Sequence, residues 1–148
     1  GPLGLREILQ EDTDVTIVTY AWNAHHAIKA AGLLEKLKGI SAEVIDVQTL
    51  LPFDVNHVIL ESIKKTNKVV FMDEDVPGGG TAYMMQKVME EQKAFDYLDT
   101  APRTLSAMEH RPAYGIDGEY FSKPNVEQLF ENIYEMMRET DNNKYPEL

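Results

Sequence analysis

Residues 68–81 read Lys-Val-Val-Phe-Met-Asp-Glu-Asp-Val-Pro-Gly-Gly-Gly-Thr, and this stretch decides the fold of the chain. Residues 69–72 form a short apolar run rich in β-branched and aromatic side chains, which is typical of a strand buried on both faces. Acidic residues follow where such a strand would leave the sheet: Asp73, Glu74 and Asp75. Glycines then form a turn ahead of a helical pattern: Gly78, Gly79 and Gly80. This order predicts the crevice side of an open α/β sheet, where ligands and partners commonly lie.

Strands and helices alternate along the rest of the chain, which predicts a mostly parallel sheet with helices on both faces. Further strands are predicted at Val15–Tyr20, Ala42–Val47 and 103–107, and helices at 24–37, after Asp54, at 81–93 and after Asn125. Asn125 and Gln128 form a capping-box pattern. Residues 108–124 are predicted as an unusually long loop, and residues 140–148 as a frayed polar tail after a domain of residues 1–139.

Composition limits the function classes. The chain has 148 residues, no cysteine and a net charge of −11. The lack of cysteine excludes disulfides, thiolate metal sites and a cysteine nucleophile. The acidic balance argues against nucleic acid and anionic membranes as partners. No apolar run approaches the roughly 20 residues that span a bilayer, and a signal-peptide pattern is lacking, so the sequence predicts a cytoplasmic protein.

The glycine loop has two interpretations. Backbone N–H groups at a helix start can bind phosphate, which leaves a free-standing, flavodoxin-like nucleotide-binding module using Gly78 to Gly80 as an alternative. The loop lacks a Gly-Lys-Ser/Thr motif and Gly-x-Gly-x-x-Gly spacing, and the acids upstream would repel a phosphate. These features favour a structural turn at an interface.

The polar side chains around this loop offer weak candidates for chemistry. Asp73, Glu74 and Asp75 could act as paired carboxylates or hold magnesium, but capping, ion pairing or a subunit contact is favoured. His25 and His26 point about 100° apart on a helix and cannot share a metal ion. His110 and Arg111 could reach a neighbouring active site, bind an anion or be exposed. A hydrolase using His110 would need a nucleophile that the sequence does not offer, so we assign no catalytic, cofactor-binding or metal-binding residue.

Several ordered segments resemble the transketolase C-terminal domain family. They are Pro2-Leu3-Gly4, residues 14–20, 39–46, 48–54 and 62–66, Asp73-Glu74 and the glycine loop. The chain is most similar to the β part of thiamine-diphosphate-dependent 2-oxoacid dehydrogenases, the E1 components. It departs from that family at Thr81-Ala82-Tyr83, where Gly-Ala-Glu is common, and in the long 114–124 connection. These departures leave open which 2-oxoacid is the substrate: pyruvate, a branched-chain acid or an acetoin-type compound.

The resemblance implies an architecture and a role. The expected fold is a three-layer α/β/α sandwich with a mixed five-stranded sheet whose first strand, near residues 5–10, is antiparallel. The parent enzyme would use thiamine diphosphate and magnesium to decarboxylate a 2-oxoacid oxidatively and transfer the acyl group to lipoyl. This domain would bind neither cofactor alone and would be inactive in isolation.

The same resemblance suggests partners. They are other domains or subunits of the E1 enzyme, a second copy in a homodimer, and the subunit-binding domain of the acyltransferase. Asp96 and Asp99, beside the aromatic residues Phe95 and Tyr97, are the candidates for acyltransferase docking. A solvated helix end is the alternative for these residues.

Overall fold

The computed structural model describes residues 6–10, 14–20, 24–74, 79–110, 120–122 and 124–148. Its main sheet has five strands: β1 (Arg6–Gln10), β2 (Val15–Tyr20), β3 (Ala42–Val47), β4 (Val69–Asp73) and β5 (Arg103–Leu105). The spatial order is β1-β3-β2-β4-β5. β1 runs antiparallel to β3, whereas the other neighbouring pairs are parallel. The predicted mixed, five-stranded sheet with an antiparallel first strand is confirmed.

Helices cover both faces of this sheet. They are α1 (Ala24–Lys38), α2 (Val58–Thr66), α3 (Gly80–Gln86) and α4 (Val126–Thr140). α1 and α4 pack over one set of alternating strand residues, including Ile17 and Val70. α2 and α3 cover the other set, including Val18 and Phe71. All five residues of β4 are buried, so the apolar run that opens the deciding stretch lies inside a three-layer sandwich, as predicted.

The start of α2 differs from the predicted one. Asp54 caps the helix as expected, because its carboxylate accepts hydrogen bonds from the amides of Val58 and Ile59 at 3.0 and 3.1 Å. The helix begins only at Val58, since Asp54 and His57 have left-handed backbone conformations, with φ of 39° and 53°. Val55 lies in this turn ahead of the helix, and its side chain is 55% exposed.

The helix predicted at 81–93 changes its pitch partway. α3 ends at Gln86 and continues as a π-helical turn from Lys87–Glu91, closed by a hydrogen bond of 2.9 Å from the Gln92 amide to the Lys87 carbonyl. A π turn holds one more residue than an α turn. The wider turn lets Val88 remain buried while the Gln92 side chain reaches Asp54, to which its Nε2 donates at 3.4 Å.

Two predictions for the C-terminal third need correction. The loop predicted at 108–124 contains two short antiparallel strands, β6 (Met108–His110) and β7 (Tyr120–Ser122), because pairing satisfies backbone groups that an open loop would leave to water. The tail after Thr140 is not frayed. Tyr145 is only 5% exposed and packs in the core beneath α4. The division at residue 139 remains a prediction.

Candidate functional site

The carboxyl end of β4 meets the start of α3 through a buried carboxylate. Asp73 is fully buried, and its Oδ2 accepts a hydrogen bond of 2.8 Å from the Thr81 amide. A Cβ on Gly80 would lie 2.5 Å from that oxygen and 2.9 Å from Cδ1 of Tyr20. The close approach of helix and strand therefore requires glycine at position 80. Because Asp73 occupies a helix-start amide that a phosphate would need, this geometry argues against a nucleotide at the loop.

The other residues of the deciding stretch are less constrained. Glu74 is half-buried. Gly79 caps α3 with a φ of −84°, so its backbone is not left-handed. Asp75 and Gly78 lie outside the described residues. The interface role of these residues stays a prediction.

Of the candidate pair His110 and Arg111, the structure describes only His110. The backbone of His110 pairs with that of Tyr120 at the end of the β6–β7 ribbon where the chain passes from one strand to the other, whereas Arg111 falls outside the described residues. Within the described ranges, no group of three or more His, Asp or Glu side chains could hold a metal ion. No described helix is both long and apolar enough to cross a membrane.

A second candidate site, which we call the acidic–aromatic surface, consists of Phe95, Asp96, Tyr97 and Asp99. A 3₁₀ turn over Ala94–Tyr97 buries Ala94 and turns the next three residues outward. Phe95 is 66% exposed and Tyr97 43% exposed. Exposed aromatic residues beside carboxylates are characteristic of protein interfaces. Phe95, Asp96 and Tyr97 therefore lie on one turn, and Asp99 follows it by two residues.

An ion pair that the sequence analysis missed anchors this surface. Lys68 is 5% exposed, and its Nζ donates to both carboxylate oxygens of Asp99 at 2.9 and 3.0 Å. The Asp99 amide donates to the Asn67 carbonyl at 3.0 Å, and the Asn67 side chain donates to the Tyr97 carbonyl at 2.7 Å. Asp99 thus has an internal partner. No local pattern could have shown it, because Lys68 and Asp99 are 31 positions apart.

A lysine also flanks the aromatic part of the surface. The Lys64 ammonium lies 5.3 Å from the centre of the Tyr97 ring and 3.1 Å from Oε1 of Glu61. The hydrogen bond to Glu61 raises the pKa of Lys64 above its ordinary value, so this cation stays charged. Asp96 is exposed, and among the described residues it has no ion-pair partner. It is the carboxylate of the surface most open to another molecule.

Comparisons with known proteins agree with this fold. The profile of the transketolase C-terminal domain family matches residues 4–128. The chain is 30% identical over 131 residues to the mitochondrial pyruvate dehydrogenase E1 component subunit beta of Saccharomyces cerevisiae, covering 88% of this chain and 36% of that protein. It is 35% identical over 133 residues to the pyruvate dehydrogenase E1 component subunit beta of Rhizobium meliloti, covering 89% of this chain and 28% of that protein.

A solved structure matches in fold. A split-gene transketolase, described as an inactive beta4 tetramer, superposes with a TM-score of 0.70 at 24% identity. The match covers 93% of this chain and 42% of that one. The chain therefore spans well under half the length of each of these relatives. The family profile, which covers most of the chain, and the shared sheet topology show that the chain belongs to the transketolase C-terminal domain family.

Proposed function

We propose that this chain is the C-terminal domain of a thiamine-diphosphate-dependent 2-oxoacid dehydrogenase E1 component and that it serves subunit assembly and partner docking. The single observation that carries the proposal is the match to the E1 beta subunits, which extends over 88% of this chain but only 36% of the yeast protein. We infer from this partial coverage that the chain is one domain of a larger enzyme.

In this proposal the reaction takes place in the rest of the parent enzyme. The parent would decarboxylate a 2-oxoacid, for which pyruvate is the first candidate because the similar proteins are named pyruvate dehydrogenase subunits. Thiamine diphosphate supplies a carbanion-stabilising centre for such reactions. We propose that other domains hold the cofactor and its magnesium. The domain itself contributes contacts to those domains and to a second copy in a dimer.

The acidic–aromatic surface is the part of this domain that we propose docks the acyltransferase. Phe95 and Tyr97 would act as anchors, since exposed aromatic residues dominate the energetics of many interfaces. Asp96 would attract a basic partner, and the net charge of −11 would assist the encounter. Asp99 would contribute through its exposed side while Lys68 holds the turn in place. The cytoplasmic location inferred from the sequence remains a prediction.

Charge reversal on this surface tests the docking role. In the parent enzyme, Asp96→Lys should weaken binding of the acyltransferase subunit-binding domain about tenfold at low salt, as for loss of a favourable interfacial charge. Asp99→Lys should weaken it as well, and its unfolding midpoint must be measured because Lys68 would lose its partner. Binding is measured by surface plasmon resonance, and decarboxylation with an artificial electron acceptor should stay intact.

Glu131→Lys provides the matched control. Glu131 is exposed on α4, outside the acidic–aromatic surface, so this variant makes the same change in net charge at another place. Its binding should stay near that of the parent. Equal losses in Asp96→Lys and Glu131→Lys would show a general charge effect, and unchanged binding in both Asp96→Lys and Asp99→Lys would remove this surface from the docking site.

A further inference from the structure

The acidic–aromatic surface has little secondary structure of its own to fix its shape. Its 3₁₀ turn spans only four residues, Ala94–Tyr97. Ala94 and Leu98 pack inward against the core on the α2 side of the sheet, whereas the residues between them are exposed. Short 3₁₀ turns have weak hydrogen-bond geometry. The directions of the outward side chains therefore depend on contacts with neighbouring segments.

Two adjacent residues between α2 and β4 supply these contacts. Asn67 ends α2 in a left-handed conformation with a φ of 62°. Its side chain donates to the Tyr97 carbonyl at 2.7 Å, and its carbonyl accepts from the Asp99 amide at 3.0 Å. Lys68 follows, and its Nζ donates to both carboxylate oxygens of Asp99 at 2.9 and 3.0 Å. The turn is thus held at Tyr97 and at Asp99.

Lys68 is itself fixed to the sheet. Its carbonyl accepts hydrogen bonds from the Thr16 amide at 2.8 Å and from the Thr66 hydroxyl at 3.0 Å. A lysine side chain in solution samples many rotamers, and confining it costs entropy. Here burial and two hydrogen bonds confine it to one position, so Lys68 connects the Asp99 carboxylate to the start of a buried strand.

The two partners of this ion pair differ in exposure, and the difference decides what each removal does. The Lys68 side chain is 6% exposed and that of Asp99 is 45% exposed. A buried ammonium left without its carboxylate is costly, because a desolvated charge needs a partner. Asp99 left without Lys68 can be hydrated instead. Removal of the lysine therefore frees the carboxylate and loosens the turn without leaving a buried charge.

We propose that Lys68 is a positioning residue for docking of the acyltransferase, and that it sets the shape of the acidic–aromatic surface through Asp99 without contacting the partner. This inference rests on the proposed docking function and deepens it. Preorganisation of a surface reduces the entropy lost on binding. Loss of the positive charge of Lys68 thus weakens binding to a basic partner, whereas the change in charge alone would favour it.

Dissociation rates test this opposite sign. In the parent enzyme, Lys68→Met removes the ammonium but keeps most of the apolar stem. The subunit-binding domain should dissociate about tenfold faster, because affinity changes within one interface lie mostly in dissociation. Its association rate should not fall, since the enzyme becomes more acidic. Lys68→Arg should restore slow dissociation, because a guanidinium can bind both oxygens of a carboxylate. Surface plasmon resonance measures both rates.

Two further variants separate positioning from charge and from folding. Lys29→Met makes the same change in charge at an exposed position of α1, on the other side of the sheet, and dissociation should stay at the parent rate. Asn67→Gly removes the hydrogen bond to the Tyr97 carbonyl but keeps the left-handed conformation, which glycine adopts readily. It should speed dissociation about threefold, as for loss of one hydrogen bond.

Amide hydrogen exchange in the 148-residue chain gives a second readout, which needs no partner. Exchange reports local opening of the backbone. In Lys68→Met the Asp99 amide should exchange faster relative to the amide of Ile17, which lies in the buried strand β2. Lys68→Arg should return this ratio to that of the parent. Faster exchange at Asp99 together with unchanged dissociation would overturn the positioning role.

The proposal is also overturned if Lys68→Arg dissociates as fast as Lys68→Met, or if Lys29→Met dissociates as fast as either. Unfolding midpoints show whether each variant is folded in the assay. If Lys68→Met is unfolded there, unchanged dissociation in Asn67→Gly overturns the proposal. Faster dissociation in Lys68→Met or Asn67→Gly, with restoration in Lys68→Arg, supports it.

Failure of this inference can be told from failure of the docking function. If Asp96→Lys weakens binding and Lys68→Met does not, only the role of Lys68 is wrong. If neither variant weakens binding, the docking surface itself is wrong, and the role of Lys68 is wrong with it.

Discussion

At the scale of single residues, Gly80 is the position where the deciding stretch allows least change. A side chain there would meet a buried carboxylate oxygen at 2.5 Å and the Tyr20 ring at 2.9 Å. Neither neighbour can move freely, since Asp73 is fully buried and caps α3. The sequence predicted a structural turn at the glycine loop, but it could not show which glycine packs closely, because that depends on the path of the helix above the strand.

Substitution of this glycine gives the first prediction. Gly80→Ala should lower the free energy of unfolding by about 1–3 kcal/mol, as overpacking does in close-packed interiors. Gly32→Ala is the matched control, since a Cβ there has no atom within 4 Å and alanine favours the helix interior by about 0.5–1 kcal/mol. Urea unfolding of both variants measures the difference. A Gly80→Ala chain as stable as the parent would contradict the packing account.

At the scale of elements, side chains that are far apart in the sequence connect the helices to the sheet. Arg103 on β5 reaches across to α4, where it donates to Asn132 at 3.0 Å, Glu135 at 3.2 Å and Glu139 at 2.6 Å. Burial opposes the charged guanidinium, but the hydrogen bonds to Glu135 and Glu139 outweigh it and raise the pKa of Arg103. In return, the hydrogen bond from Arg103 lowers the pKa of Glu135.

The contact between Arg103 and Glu135 predicts that the stability of the domain depends on pH. Because the folded pKa of Glu135 lies below its unfolded value of about 4.3, its contribution to stability is present above that pH and is lost as pH falls through the folded pKa. Glu135→Gln should therefore be less stable than the parent at pH 7, by less than about 1 kcal/mol as for exposed pairs, and the difference should vanish near pH 2. Chemical unfolding across this range measures it.

The control for this experiment is on the same helix. Glu131 is exposed on α4, outside the group of side chains that Arg103 contacts. The difference in stability between Glu131→Gln and the parent should therefore not shrink as the pH falls. A stability difference for Glu135→Gln that persists unchanged at pH 2 would rule out the ion pair as its cause.

The segment after α4 makes a second set of contacts between elements. The Tyr145 ring meets the Tyr134 ring edge to face with centroids 6.0 Å apart. The Tyr134 hydroxyl donates to the Pro146 carbonyl at 2.6 Å, and Nε of Arg138 donates to the Tyr145 carbonyl at 3.0 Å. Two side chains of α4 thus fold the segment back on the core.

Removal of the Tyr145 ring tests these contacts. Tyr145→Ala should lower the free energy of unfolding by about 3–5 kcal/mol, the range for loss of a large buried aromatic side chain. Leu148→Ala, at a residue that is 72% exposed, should stay within about 0.5 kcal/mol. Thermal and urea unfolding measure both variants. Equal stability of Tyr145→Ala and the parent would contradict this packing and support the frayed tail that the sequence predicted.

Sequence reasoning succeeded where a local pattern carries the structure. The buried run of β4 and the capping box of Asn125 are both present, the latter with hydrogen bonds of 3.0 and 2.8 Å to and from Gln128. It failed where distant contacts decide. The polar composition of residues 140–148 concealed one aromatic anchor, and no local pattern in the sequence indicated the π turn at Lys87–Glu91, where Val88 is buried.

At the scale of the whole molecule, the domain combines a buried sheet with an exposed surface suited to another protein. The acidic–aromatic surface lies at the end of α2, and the sequence suggested it through a family resemblance. The chain spans less than half the length of each of the relatives that it matches.

Complementation tests the central claim, that this domain assembles a larger enzyme and has no catalysis of its own. The parent protein without this domain is mixed with the 148-residue chain, thiamine diphosphate, magnesium and pyruvate, and reduction of an artificial electron acceptor is followed. We predict that neither part alone turns over substrate and that the mixture does. Turnover by the isolated chain, or full activity of the parent without it, would contradict the account.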